Sequence, residues 1–172
     1  MSRMKAPDHT EAADYYFTYI NQVDPGDIRD ILEAQGREAL SMLAEIPESR
    51  ADYRYAPEKW TIRQVVNHVN DAERVFSYRA LWFARGFEAP LPSYDQNIAI
   101  ASANVDMRSL RDHVEEFRAI RSATVPLFRH LPDDAWDRRG VASSHPVTVR
   151  ALAYIIAGHV AHHLKILRER YL

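Results

Sequence analysis

Four long stretches of this chain place apolar residues at the 3.6-residue period of an amphipathic helix. Three of them are expected at residues 25–46, 61–85 and 149–170, and another follows Asp106. Only 5 glycines occur among the 172 residues, which also favours helices over sheets. Amphipathic helices of this length bury their apolar faces against one another. We therefore expect an all-α fold, a four-helix bundle.

Polar residues mark where the helices should begin. Thr61, with Gln64 three residues later, is the signature of a capping box. Asp24, which precedes a proline, is expected to cap the first long helix, Asp106 the third and Thr148 the last. The local sequence therefore predicts a start for each of the four helices.

Two of the expected connections are long. Residues 87–105 are predicted to form a loop with a short helical turn at residues 97–103, and loops of this length are often functional. Residues 132–146 are predicted to form a polar connection. Within the third helix, Pro126 predicts a kink or an early end.

Size and charge limit the possible partners. The chain favours one domain, residues 1–172, in which residues 1–23 are an N-terminal extension. Its 22 basic and 24 acidic residues give a formal charge of −2, so neither nucleic acid nor an anionic membrane surface is an expected partner. No signal sequence and no apolar stretch of about 18 residues is evident, which predicts a cytoplasmic protein. The chain has no cysteine, so any metal must be bound by histidine or carboxylate.

Two histidines mark a candidate metal site in the last helix. In residues 158–163 (GHVAHH), His159 and His163 are four residues apart and share one helical face. His68 lies on the edge of the apolar stripe of the second helix. Three neutral imidazoles with an open coordination position are typical of a catalytic metal site. The alternative for a single buried histidine is a hydrogen-bonded residue of the core.

The other histidines need no metal to explain them. His162 is about 100° from His163 around the helix, so it is expected to support the site from outside or to be exposed. The remaining four are expected at the surface: His9, His113, His130 and His145. Two known metal motifs are absent, because no glutamate follows His159 and no glutamate has a histidine three residues later.

Two segments of the sequence resemble those of the DinB-like four-helix bundles. They are residues 59–73 (KWTIRQVVNHVNDAE), which are followed by Arg79, and residues 158–163. This superfamily includes YfiT-type metal-dependent hydrolases and the bacillithiol and mycothiol S-transferases. The resemblance implies an up-down-down-up order of helices, and His68, His159 and His163 as ligands of zinc or nickel, with water completing the site. It also implies a small-molecule substrate and a homodimer.

Three functions are compatible with this pattern. In the first, a low-molecular-weight thiol binds the metal, loses its proton and attacks a small electrophile, which makes the protein a thiol S-transferase. In the second, metal-activated water makes it a hydrolase. In the third, the bundle binds metal for stability or interacts with a partner without catalysis.

Several polar and aromatic residues are candidates for supporting roles. Asp71, one turn after His68, is a candidate to orient an imidazole or accept a proton, or else it is a solvated helix residue. Trp60, Tyr94 and Arg79 are expected either to line a pocket or to pack at helix ends. Glu73 is expected to be exposed or paired with a basic residue.

Overall fold

A computed structural model describes residues 5–172 of the chain, and the long helices of the sequence analysis are present in it. The α-helices are α1 (Phe17–Ile20), α2 (Ile28–Ala44), α3 (Ile62–Ala84), α4 (Gln96–Ser102), α5 (Leu110–Arg129) and α6 (Val149–Ile166). One-turn or two-turn 3-10 helices cover Asp14–Tyr16, Glu48–Arg50, Val105–Met107 and Asp133–Asp137, and a π-helical turn covers Leu167–Tyr171. An antiparallel hairpin joins β1 (Arg139–Ala142) to β2 (His145–Thr148).

The predicted caps of α3 and α6 are confirmed. The Thr61 hydroxyl accepts a hydrogen bond from the Gln64 backbone N–H at 3.2 Å, and the Gln64 side chain accepts one from the Thr61 N–H at 2.9 Å. The Thr148 hydroxyl accepts from the Ala151 N–H at 3.0 Å. Each bond satisfies an N–H group that the helix itself leaves without a partner.

The predicted caps of the other two long helices are wrong by three residues. Asp27 rather than Asp24 caps α2, and Ser109 rather than Asp106 caps α5. Asp106 lies instead in the 3-10 turn that follows Asn104, a residue with a left-handed φ of 48°. The capping residue is the one directly before the first helical turn, and both helices begin three residues later than the sequence predicts.

The hairpin corrects the expectation for residues 132–146. These residues hold a 3-10 helix, β1 and the start of β2, rather than only a polar connection. The strands are four residues each, and the turn between them is Ser143-Ser144 instead of the common Asn-Gly. Such short strands leave little periodicity to detect.

Pro126 lies inside α5, which ends three residues later.

The four long helices run up-down-down-up, as expected. α2 and α5 are antiparallel, because Arg129 at the end of α5 bonds to Asp30 and Glu33 near the start of α2. α3 and α5 are parallel, since contacts advance in the same direction from Asn70–His113 to Ser77–Thr124. No helix within residues 5–172 combines the length and apolarity needed to span a bilayer.

The last helix completes the bundle. α6 is parallel to α2, because contacts advance from Gln35–Ala157 to Glu38–Arg168. It is antiparallel to α3, whose early residue His68 meets the second half of α6. Both α2 and α3 pack against α5 and α6, so α2 and α3 lie across the bundle from each other.

A buried ion pair separates the apolar core into two parts. The Arg121 guanidinium donates two hydrogen bonds to the Glu73 carboxylate, each 2.8 Å long, and the two side chains are 4% and 1% exposed. Arg121 also donates to the Leu32 carbonyl at 2.9 Å and to Gln35, which donates to the Ala157 carbonyl. One polar layer therefore connects all four long helices, with an apolar cluster on each side of it. Of the two expectations for Glu73, pairing is correct and exposure is wrong.

Replacing Arg121 by methionine should lower the free energy of unfolding by about 3–5 kcal/mol, because the Glu73 carboxylate would stay buried without its partner. Urea denaturation at pH 7 measures this. The double variant Arg121→Met/Glu73→Gln should recover part of the loss, since it buries no charge. Arg37→Met removes the exposed pair with Glu33 and should leave stability nearly unchanged. An Arg121→Met protein as stable as the wild type would contradict this role of the ion pair.

Candidate metal centre

Three histidine side chains from two helices meet at one point in the bundle. His68 is in the second turn of α3, and His159 and His163 are one turn apart in α6. Because α3 and α6 are antiparallel, the early part of one faces the late part of the other. The Nε2 atom of His159 is 2.9 Å from that of His68 and 3.1 Å from that of His163.

This arrangement fits a common metal ion better than it fits hydrogen bonds alone. Two imidazole nitrogens that bind one ion at about 2.0–2.1 Å are roughly 2.9–3.4 Å apart, which includes both observed separations. All three ligand atoms lie within 4.8 Å of one another. The Nε2 atom of His159 carries either one proton or one lone pair, so it cannot form two well-aligned bonds to both neighbours. One cation would use all three lone pairs at once.

Burial keeps the three imidazoles neutral. It lowers the pKa of His68 to about 4 and that of His163 to about 3, and it lowers the pKa of His159 well below its usual value. Neighbouring imidazoles add to the effect, because a second positive charge there would be repelled. At neutral pH the nitrogens therefore keep the lone pairs that metal binding requires.

Aromatic rings surround the histidines. The Trp60 ring centroid is 4.9 Å from that of His68, while those of Tyr19 and Phe76 are 5.3 Å and 5.9 Å from that of His159. These rings remove water from the imidazoles and restrict their rotation. Of the two expectations for Trp60, the structure shows packing, here directly against a candidate ligand.

The N-terminal segment supplies Tyr19, which the sequence analysis did not identify. Helix α1 packs against α6 at Gly158, where an added Cβ atom would lie only 2.1 Å from the Tyr19 carbonyl oxygen. Any other residue would push this segment away from the site. Burial and the bond to the Tyr15 hydroxyl raise the pKa of Tyr19, so its hydroxyl stays protonated. A glycine inside an apolar helical stretch was the one available signal of such a close approach.

A cavity of about 120 Å³ opens beside His68 and His159. Its lining comes from α3 and α6, and also from the N-terminal segment, the loop before α4, α4 itself and the hairpin turn. Arg79 and Tyr94 line this cavity, which confirms the first of the two roles expected for them. The other lining residues are Tyr15, Tyr16, Tyr19, Ala72, Val75, Phe76, Gln96 and Ser143.

Asp71 contacts a cavity residue rather than an imidazole. Its carboxylate accepts a hydrogen bond from the Asn67 amide at 2.9 Å and lies close to the Tyr94 hydroxyl. Burial raises the pKa of Asp71, and Arg74 partly opposes this shift. Burial and the neighbouring carboxylate raise the pKa of Tyr94 to about 12. The Asp71 carboxylate therefore lies beside the protonated Tyr94 hydroxyl at the cavity wall.

One expectation about the remaining histidines is wrong. His113 is fully buried, not at the surface, because the 3-10 turn Val105–Met107 covers it. Its Nε2 donates to the Val105 carbonyl at 3.1 Å, and its Nδ1 accepts from Arg108 at 3.0 Å. His162 is partly buried beside Gln22. The three histidines expected at the surface elsewhere are exposed: His9, His130 and His145.

Comparisons with known proteins agree with the architecture. The sequence matches the family model of the DinB superfamily over residues 31–167, so this chain belongs to the DinB superfamily. A structure described as YfiT from Bacillus subtilis, a probable metal-dependent hydrolase with an unusual four-helix bundle topology, is similar with a TM-score of 0.67 and 18% identity. That alignment covers 98% of this chain and 94% of YfiT.

A second similar structure is a mycothiol-dependent maleylpyruvate isomerase, with a TM-score of 0.67 and 14% identity. The alignment covers 80% of this chain and 58% of the isomerase. At these identities the two structures show the shared fold and not a shared reaction. The comparison with curated proteins gave no match.

The protein treated with a chelator should lose stability as the pH falls from 7 to 5. Unfolded histidines bind protons near pH 6.5, whereas the buried ones stay neutral down to about pH 4 for His68 and about 3 for His163. Within this window the unfolded state binds more protons, so the free energy of unfolding decreases, by roughly 2 kcal/mol per histidine. Urea denaturation at pH 7, 6 and 5 measures the decrease.

The control is the variant with alanine at His68, His159 and His163. Its stability should depend less on pH, and the contribution of His113 cancels because both proteins keep that residue. Equal pH dependence in the two proteins would show that the three imidazoles are not neutral in the folded state.

Proposed function

We propose that this chain is a divalent-metal-dependent enzyme that transfers a low-molecular-weight thiol to a small electrophile. The proposed ligands are His68, His159 and His163, and the proposed metal is zinc or nickel, because imidazole nitrogens suit both ions. The observation that carries the proposal is the convergence of three neutral imidazoles, of which two are buried and that of His163 is partly buried, beside a cavity. A site that only stabilised the fold would need no adjacent cavity.

The three histidine ligands determine what the metal and the protein would each contribute. When bound, such an ion lowers the pKa of a thiol or a water molecule at its open position, which favours the nucleophilic form near neutral pH. The protein contributes neutral ligands that leave the positive charge of the ion undiminished. Trp60, Phe76 and Tyr19 exclude water around these ligands, so the electrostatic effect of the charge is larger.

The cavity favours a thiol over water as the nucleophile. Among residues 5–172, no aspartate or glutamate lines it, so it lacks the carboxylate base that helps to deprotonate water in many metal-dependent hydrolases. A thiol needs less help, because its pKa is already about 8.5. The sequence has no cysteine, so the sulfur must come from a diffusible cofactor.

Tyr19 is suited to hold the electrophile. The hydroxyl groups of Tyr19 and Tyr94 stay protonated at neutral pH, since burial raises the pKa of both. Tyr19 can accept a hydrogen bond from the Tyr15 hydroxyl and donate its own proton to an oxygen on the electrophile, which would stabilise negative charge that develops there. The proton of the Tyr94 hydroxyl is directed at Asp71, so Tyr94 contributes to the cavity wall instead.

The alternative functions stay open as outcomes of the experiment. Hydrolysis uses the same ion with water in place of the thiol, and a non-enzymatic bundle would bind the ion without turnover. The homodimer, the cytoplasmic location and the lack of nucleic-acid or membrane partners remain predictions from the sequence.

Metal content and activity should both depend on the three histidines. We expect about one zinc or nickel per chain in tag-free wild-type protein, measured by elemental mass spectrometry. His68→Ala should weaken metal affinity at least about 100-fold, since losing even an outer-sphere partner costs 10–100-fold. The metal-loaded wild type should accelerate the reaction of bacillithiol, mycothiol or glutathione with 1-chloro-2,4-dinitrobenzene, and His68→Ala should not.

The matched control is His130→Ala, which removes an exposed histidine far from the site in the sequence and should change neither readout. Turnover of p-nitrophenyl esters without any thiol would favour the hydrolase instead. Metal-free wild type that takes up neither ion on reconstitution would sink both enzymatic interpretations.

A further inference from the structure

Arg79 is a buried cation at the wall of the cavity. The residue is 4% exposed and is one of the cavity-lining residues of α3. Within residues 5–172, no carboxylate lies within ion-pair distance of its guanidinium. In contrast, the other buried arginine of the bundle core, Arg121, has a carboxylate partner in Glu73. Buried charges are normally paired, so the charge of Arg79 calls for a partner from outside the chain.

Neutral acceptors hold the Arg79 guanidinium in place without neutralising it. Its Nη2 donates to the Pro92 carbonyl at 2.8 Å and to the Ser143 hydroxyl at 3.1 Å. Within residues 5–172, neither its Nε nor its Nη1 donates a hydrogen bond. The side chain is therefore positioned but keeps donors for a ligand.

The hairpin turn at this contact has a backbone conformation that is unfavourable for serine. Ser143 and Ser144 have φ angles of 53° and 66°, a left-handed conformation that favours glycine or asparagine. Ser143 is nevertheless a serine, and its hydroxyl is the group that binds Arg79. The hairpin is also tied to the loop before α4, since the Ser143 N–H donates to the Leu91 carbonyl at 3.2 Å. Loop and hairpin together fix Arg79 at the cavity.

We propose that Arg79 binds a carboxylate group of the substrate, so that the preferred electrophiles are small carboxylic acids. This inference rests on the proposed function, because it takes the cavity beside the three histidines as the active site. Arg79 is the one arginine or lysine among the described residues that line the cavity. A carboxylate would neutralise the Arg79 charge and accept charge-assisted hydrogen bonds from the remaining guanidinium donors.

Phe76 relates this charge to the candidate metal centre. Its ring centroid is 6.0 Å from the Arg79 guanidinium carbon and 5.9 Å from the ring centroid of His159. Arg79 and His159 therefore both lie about 6 Å from the same aromatic ring. A substrate that binds Arg79 through its carboxylate would have its reacting atom several bonds away, toward His159, with its carbon chain over Phe76.

Binding of hexanoate, with hexanamide as the uncharged analogue, tests the proposal. Saturation-transfer NMR titrations would use zinc-loaded and chelator-treated protein, so that the readout needs no turnover and no metal. Hexanoate should bind the wild type, and Arg79→Gln should weaken it at least ten-fold. Arg79→Lys should weaken it less, because it keeps the charge. The control Arg85→Gln removes an exposed arginine at the end of α3 and should have no effect.

Each outcome decides something distinct. Loss of hexanoate binding in Arg79→Gln, with circular dichroism and zinc content unchanged and hexanamide binding unaltered, supports the proposal even if no thiol transfer is ever found. Equal binding to the wild type and Arg79→Gln would overturn it, as would binding that needs zinc but not Arg79. Tighter binding of inorganic phosphate than of hexanoate would also overturn it.

Discussion

The ion pair between Arg121 and Glu73 fixes the positions of the four long helices relative to one another along the bundle axis. Through its bonds to Leu32 and Gln35, and from Gln35 to the Ala157 carbonyl, the layer contacts α2, α3, α5 and α6 at one level. Apolar contacts alone tolerate a shift of one helix along another, whereas a buried charge that lost its partner would cost several kcal/mol. The layer therefore restricts the register in which the apolar clusters above and below it can pack.

The candidate metal centre depends on that register. His68 precedes Glu73 by five residues on α3, and His159 follows Ala157 by two residues on α6. A layer that fixes Glu73 and Ala157 therefore also fixes the level at which His68 meets His159. The same interior keeps the imidazoles neutral and leaves Arg79 only 4% exposed and, among the described residues, without a carboxylate partner. Burial therefore has two different consequences. It keeps the lone pairs of the three histidines available for a metal cation, and it favours the binding of an anion to the Arg79 guanidinium.

The bundle and its connections contribute different parts of the site. The three candidate ligands come from α3 and α6, which the core holds rigidly. Tyr19, Tyr94 and Ser143 come from the N-terminal segment, the loop before α4 and the hairpin turn. The proposed carboxylate selectivity comes from Arg79 of α3, which the loop before α4 and the hairpin turn hold in place through Pro92 and Ser143.

The sequence by itself determined the features that arise within one helix. Amphipathic periodicity marked the four long helices, the Thr61–Gln64 pattern marked a cap, and the four-residue spacing of His159 and His163 put both on one face, because all of these depend on neighbouring residues. The meeting of His68 with His159, the burial of His113, the approach of Tyr19 at Gly158 and the contact of Ser143 with Arg79 were decided only by the tertiary structure. Each joins residues that turns or long connections separate, and their positions depend on packing that no local pattern records.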